Sequence, residues 1–372
     1  NAVAPSPIQA PINFVKPKEL DEEGIQTQIS DFVRAAILAQ SAGYDGVEIM
    51  GSEGYFLNQF IALRTNHRTD AWGGSYDNRI RLAVEIVRQV RQAVKENFII
   101  IYRLSMIDLV EGGSTIEEVI KLGKEIAAAG ATIFNTGIGW HEARIPTIAT
   151  SVPRAAFTWV TAMVRSEMPI PVITSNRINT PDVAETIIAR GDADMVSMAR
   201  PFLADANFVS KAANGRGDEI NTCIACNQAC LDAIFNGKIT SCLVNPFACN
   251  ETEMVLKPAT VIKKIAVVGA GPAGLAAATT AARRGHQVTL FDAEEEIGGQ
   301  FNIAKRIPGK EEFYETIRYF AKEISLSGVT LRLGLRVGPK DLASFDEVIL
   351  ATGVMPRTPE IIGIEHPKVV GY

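Results

Sequence analysis

Hydrophobic positions along this chain alternate between two periods. "ISDFVRAAILAQSAG" (29–43) spaces apolar residues three and four apart, so one helical face turns toward a core, and Gly43 follows as a stop. Short apolar runs then recur: "GVEIM", "FIIIYRLS", "ATIFNTG", "IPVITSN" and "MVSMAR". Helix-period segments such as "NRIRLAVEIVRQVRQAV" and "TIEEVIKLGKEIAAAG" separate them. Apolar strands alternating with helices predict an α/β fold with a parallel sheet covered by helices. Five strand–helix units are readable, whereas a (β/α)8 barrel needs eight. The Pro-rich start, "NAVAPSPIQAPINFVKPKEL", reads as loop and supplies none of the others. The expectation is an incomplete barrel wall over 1–215.

The pattern changes near Val261. "IKKIAVVGAGPAGLAAATTAARRGHQVTLFD" reads as strand, glycine turn, helix and a second strand ending in an acid, and "DEVILATG" reads as a further strand. This predicts part of a Rossmann-like nucleotide-binding unit over 261–372, joined to the first by a segment at 216–260. The longest apolar run, 265–282, has the length of a membrane span, but its glycines and proline fit strand–turn–helix better.

Composition narrows the function classes. Net charge is −5 with basic residues scattered, which argues against nucleic acid or a membrane surface as partner. Five cysteines in 372 residues make no disulfide scaffold, so a reducing cytoplasm is expected. No obligate protein partner is implied.

Four of those cysteines crowd together. Cys223, Cys226, Cys230 and Cys242 follow C-x2-C-x3-C-x11-C, with Cys249 outside the spacing. Three thiolates in eight residues plus a fourth after a loop suit a 4Fe–4S cubane, whose irons each need one sulfur. Structural zinc remains the alternative, although no histidine lies nearby. The glycine turn is the second chemical signal. Gly269, Gly271 and Gly274 form G-x-G-x-x-G, with Ala273 inside it, and Asp292 closes the next strand. Such glycines let a pyrophosphate approach the helix N-terminus. Asp292 would accept from an adenosine ribose and repel a 2′-phosphate, so FAD or NAD fits better than NADP. "GGQ", ending in Gln300, and "ATG" at 351–353 resemble motifs of disulfide-reductase-like flavoproteins and tilt the choice to FAD.

Together with the cysteine set, "GYDGVEIMGSEGYFLNQF", "RTNHRTDAWGGSYDNRIRLAVEIV", "NTGIGWHEARIPTIA" and "DADMVSMARPFLAD" resemble the bacterial NADPH-dependent 2,4-dienoyl-CoA reductases, within the old yellow enzyme-like flavin oxidoreductases. The resemblance implies an FMN-bearing TIM barrel, of which strands 4–8 are present, then a 4Fe–4S segment and part of an FAD domain. It implies electron flow from NADPH through FAD, cluster and FMN to a 2,4-dienoyl-CoA thioester. Nothing here matches the family's first barrel strands or its NADPH insert, so the chain reads as an internal portion of a longer reductase, inactive alone.

By the same resemblance Tyr55 is the proton donor and His141 its neighbour, both on loops after strands, where barrel enzymes keep their active sites. A tyrosine is protonated at pH 7 and can give that proton to a carbanion beside a thioester. Arg103, ending the strand "FIIIYR", would stabilise negative charge on reduced flavin. Arg177, Ala199 and Arg200, near the last two strands, would hold FMN. Arg64 and the run Glu142, Ala143, Arg144, Ile145 would line the thioester site. An enoate reductase, a trimethylamine-type amine dehydrogenase and a non-catalytic electron-transfer module stay open as alternatives.

Overall fold

The structure, a computed structural model, describes residues 2–370. The chain divides into two compact units, Asn1–Ala199 and Arg200–Tyr372.

In the first unit the strands are β1 (Val3–Ala4), β2 (Lys18–Glu19), β3 (Gly46–Gly51), β4 (Ile99–Ile107), β5 (Ile133–Ile138), β6 (Val172–Thr174) and β7 (Met195–Val196). Its helices are α1 (Glu22–Ser41), α2 (Phe56–Ile61), α3 (Tyr76–Ala93), α4 (Ile116–Ala128), α5 (Thr158–Arg165) and α6 (Pro181–Arg190). Strands β3 to β7 form one parallel sheet in sequence order, with helices between successive members. All five apolar runs read as strands are therefore strands, and the sheet is α/β and parallel.

The helices follow from their caps and faces. In α3, Ile80, Ala83, Val84, Val87 and Val90 are buried, and the Ser75 side chain caps the start by accepting from Asn78 N. A complete capping box between Thr115 and Glu118 starts α4. These faces close on β4 and β5, where Ile100, Tyr102, Leu104 and Phe134 are wholly buried. Ile100, Leu104 and Phe134 each contribute about 1.5–3 kcal/mol through burial.

Two expectations need correction. The Pro-rich start is not all loop: β1 and β2 pair in parallel as a separate two-stranded sheet. Arg68 holds that pairing by donating to the carbonyls of Pro5 and Leu20, a long-range contact that a Pro-rich sequence does not announce. Arg103 also does not end its strand. Hydrogen bonding to β5 carries β4 on to Ile107, so Arg103 sits mid-strand.

In the second unit α7 (Arg200–Ala204) and α8 (Phe208–Ala213) precede the cysteine segment, and α9 (Leu231–Phe235) lies within it. Next come β8 (Lys264–Val268), α10 (Pro272–Arg283), β9 (Gln287–Phe291), α11 (Phe301–Ala304), α12 (Tyr314–Ser327), β10 (Thr330–Arg332), α13 (Pro339–Leu342) and β11 (Glu347–Leu350). The strands make a parallel sheet in the order β10-β9-β8-β11. Leu275, Ala278, Val267 and Leu290 pack α10 on its centre. The apolar run 265–282 is thus strand, turn and helix, and among the described residues no helix is long and apolar enough to cross a membrane.

Candidate active site and cofactor loops

Because β3, β4 and β5 are parallel neighbours, the loops leaving β3 and β5 emerge at the same end of the sheet. After β3 the backbone takes left-handed turns at Glu53 (φ 53°) and Gly54 (φ 80°). Asn58 Oδ1 accepts from Gly54 N and fixes the turn, and Tyr55 then opens α2. After β5, Gly139 N donates to the Ile107 carbonyl at 2.7 Å and Trp140 N to that of Asp108 at 3.0 Å. The result brings Tyr55 Oη within 2.8 Å of His141 Nε2, across 86 residues of sequence. Their rings meet edge to face at 5.3 Å. Tyr55 remains 47% exposed, so its hydroxyl is within reach of a ligand from outside.

Partial burial raises the Tyr55 pKa above the usual tyrosine value, the Glu53 carboxylate raises it further, and Arg103 opposes both. The acid form of a phenol exists below its pKa, so a raised pKa extends that form toward alkaline pH. Any step that takes a proton from Tyr55 is therefore expected to hold its rate through pH 9 and to fall only beyond the ordinary value of about 10. Stopped-flow rates from pH 6 to 10.5 check this. An alkaline limb centred near pH 8 that vanished in Tyr55→Phe would contradict it.

Arg103 is met by a carboxylate. Its Nη2 donates to Glu53 Oε1 at 2.7 Å and its Nε reaches both Glu53 oxygens at 3.1 and 3.2 Å, while Glu48 stands 3.9 Å away. A fork of this kind fixes the guanidinium plane and offsets much of its charge. Arg64 is exposed and its backbone N bonds Gly112 O. Glu142, Ala143, Arg144 and Ile145 follow His141 on one loop, with Arg144 and Ile145 exposed. Arg177 is buried at φ 58°, its Nε donating to Val152 O at 2.8 Å, and Ala199 is exposed.

In the second unit the glycine turn has the geometry its motif requires. A Cβ on Gly274 would stand 1.7 Å from Gly269 O, and one on Gly269 would stand 2.2 Å from Ala351 O. A Cβ on Gly271 would meet nothing within 4 Å, which leaves the N-terminus of α10 open to an approaching phosphate. Ala273 lies in the first turn of that helix. Asp292 accepts from Ala270 N at 2.5 Å and from Glu294 N at 2.9 Å, so the acid also braces the turn. Gln300 Nε2 donates to Val354 O at 2.8 Å, linking "GGQ" to the segment after "ATG".

Cys223, Cys226, Cys230 and Cys242 line one pocket with Leu203, Ile224, Leu243, Val244, Asn227 and Arg200. Arg200 Nη1 donates to Asn227 Oδ1 there. Burial pushes the Cys226 thiol up and Cys242 to about 11, with neighbouring thiols adding to both. Thiols so placed resist ionising unless a cation shares the pocket. Among the described residues no group of three or more His, Cys, Asp or Glu is drawn together to hold a single metal ion. Four thiols around an apolar pocket fit a larger cluster in their donor chemistry. Cys249 is exposed and does not line it.

The sequence left three residues of the first site unremarked. Glu53 lies inside "GSEGY" and its signal was a carboxylate beside a turn. Trp140 precedes His141, and Asp108 carries no local signal at all.

Residues 1–219 match the NADH:flavin oxidoreductase / NADH oxidase family, and residues 263–371 match the pyridine nucleotide-disulphide oxidoreductase family. A metal reductase of Desulforamulus reducens is 40% identical over 99% of this chain and 56% of its own length. A cinnamate reductase of Clostridium sporogenes is 33% identical over 98% of this chain and 58% of its own. The solved structure of a 2-naphthoyl-CoA reductase complex with 2-naphthoyl-CoA superposes with a TM-score of 0.95 at 35% identity, covering 98% of this chain and 56% of that one. The chain spans about half the length of the curated relatives it matches.

Proposed function

The chain belongs to the NADH:flavin oxidoreductase / NADH oxidase family, and from that premise we propose that it carries the substrate site of an enzyme reducing a carbon–carbon double bond conjugated to a thioester, with a 2,4-dienoyl-CoA as substrate and NADPH as electron source. The observation that carries the reading is the Tyr55–His141 pair, 2.8 Å apart on half-open loops at one end of a parallel sheet. Reduction of a conjugated bond needs a hydride at one carbon and a proton at its neighbour. A tyrosine kept neutral by burial and by Glu53 is an acid suited to the second task. The likeness to a cinnamate reductase and to a 2-naphthoyl-CoA reductase supports an unsaturated carbonyl compound as substrate.

In this reading Tyr55 gives its proton to the substrate carbon and His141 holds the phenol in line. Arg64 and residues 142–145 flank the thioester. Glu53 fixes Arg103 in a single plane beside the flavin, while Arg177 and Ala199 contribute to FMN binding. The five-stranded sheet is taken as strands 4–8 of a (β/α)8 barrel. Gly269, Gly271, Gly274 and Asp292 would hold FAD, and Cys223, Cys226, Cys230 and Cys242 a 4Fe–4S cluster. These groups would supply hydride transfer and one-electron transfer between separated centres.

The test uses anaerobic full-length holoenzyme. About four irons per chain are expected, as one cubane on four thiolates requires, with a broad absorbance shoulder near roughly 400 nm. Prereduced flavin should be reoxidised by a 2,4-dienoyl-CoA in stopped flow at least as fast as steady-state turnover. One tightly held zinc without iron would remove the cluster. Reduction of oxidised flavin by a methylated amine, with no reoxidation by the thioester, would favour an amine dehydrogenase instead.

A further inference from the structure

Strand β4 and the loops that follow β4 and β5 meet at a buried carboxylate that the proposed chemistry leaves unused. Asp108 is 3% exposed and follows β4 just after a register shift between Ser105 and Ile107. Its Oδ1 accepts from Ser105 Oγ at 2.6 Å and from Trp140 Nε1 at 2.8 Å. Its Oδ2 accepts from the backbone N of Ser114 at 2.8 Å. All three donors are neutral, and bonds this short to an anion are among the stronger ones in a protein. The loop closes tightly around the group. Leu109 is held at φ 57°, and a Cβ on Gly113 would stand 2.9 Å from Asp108 Oδ2. Left-handed backbone at a leucine persists only where the surroundings dictate it.

Trp140 is the link to the site. Its indole N–H is spent on Asp108, and its main chain leads directly into His141. A Cβ on Gly54 would stand 2.9 Å from its ring, so the residue before Tyr55 rests on the indole. One ring therefore touches the Tyr55 loop and precedes His141 on the other.

We propose that Asp108 is a positioning residue that locks the Trp140 indole and through it sets the spacing of Tyr55 and His141. The inference rests on the reading that this pair acts on substrate. Asparagine keeps the shape of Asp108 but offers one acceptor oxygen and an amide donor. Either the Ser114 N–H or the Trp140 indole N–H must then face a donor, whereas the Ser105 hydroxyl can turn to accept. Misplacement on the scale of 1 Å costs on the order of a hundredfold in rate.

The experiment compares, in holoenzyme, thioester turnover with NADPH oxidation by an artificial acceptor that bypasses the substrate. Asp108→Asn should lower the thioester-to-acceptor ratio by about tenfold to a hundredfold. Trp140→Phe, which removes the indole N–H, should lower the same ratio, and the double variant should be no worse than Asp108→Asn. An equal fall in both activities, multiplying losses or an unchanged ratio would each overturn the proposal. If Asp108→Asn is not recovered folded, Ser105→Ala removes one donor and keeps the carboxylate. Wild-type ratios in both Ser105→Ala and Trp140→Phe would then overturn it. Should Tyr55→Phe lower the ratio while these variants do not, the positioning role fails and the proposed function stands. Should Tyr55→Phe leave the ratio unchanged, the proposed function itself fails.

Discussion

Tyr55→Phe in the holoenzyme is expected to lower thioester reduction a hundredfold to ten-thousandfold, the range that general acid catalysis contributes. The substitution removes one oxygen from a side chain that is half exposed, so the fold should keep its melting temperature. The lost atom is the one 2.8 Å from His141 Nε2. Flavin content should not change, and NADPH oxidation by an artificial acceptor should continue at nearly the normal rate. A smaller loss is expected only if His141 or water delivers the proton instead. His141→Ala should separate the two activities in the same way, and the double variant should be less than additive if the pair acts as a unit. Thioester turnover at the wild-type rate in Tyr55→Phe would make the tyrosine a packing residue.

Gly274→Ala is expected to cost about 3 kcal/mol and to strip FAD from the second unit. The new methyl would lie 1.7 Å from Gly269 O and 2.9 Å from Gly269 C. Both are backbone atoms, so no rotamer change relieves the overlap, and α10 must move off β8. Gly271→Ala is the contrasting variant. Its φ of −74° suits alanine, and no atom lies within 4 Å of the new methyl. Apo stability should therefore hold in urea while FAD affinity falls, because the methyl would occupy the path proposed for the phosphate. Wild-type stability in Gly274→Ala would remove the close-packing argument. Wild-type affinity in Gly271→Ala would place the phosphate elsewhere.

Much of this is legible in the sequence. Each of the strands β3 to β7 announced itself by a short apolar run, because the strand face that packs into the core, as at Ile100, Tyr102 and Leu104, tolerates few polar positions. The glycine turn was legible because its spacing reflects one local backbone geometry, and the later clash distances at Gly269 and Gly274 repeat it in ångströms. The four spaced cysteines line one pocket for the same reason: they are close in sequence. What the sequence left open was every contact between distant segments. Arg68 tying β1 to β2 made strands from a Pro-rich start, and pairing with β5 carried β4 past Arg103. Glu53 meets Arg103 across 50 residues and Asp108 meets Trp140 across 32. Left-handed turns stand at Glu53 and next to Asp108 at Leu109, residue types that carry no such preference. Periodicity reports how one element is buried, and it is written in neighbouring residues. Which side chains face each other at the ends of β3, β4 and β5 is decided by strand order and loop conformation, and these exist only once the sheet has formed.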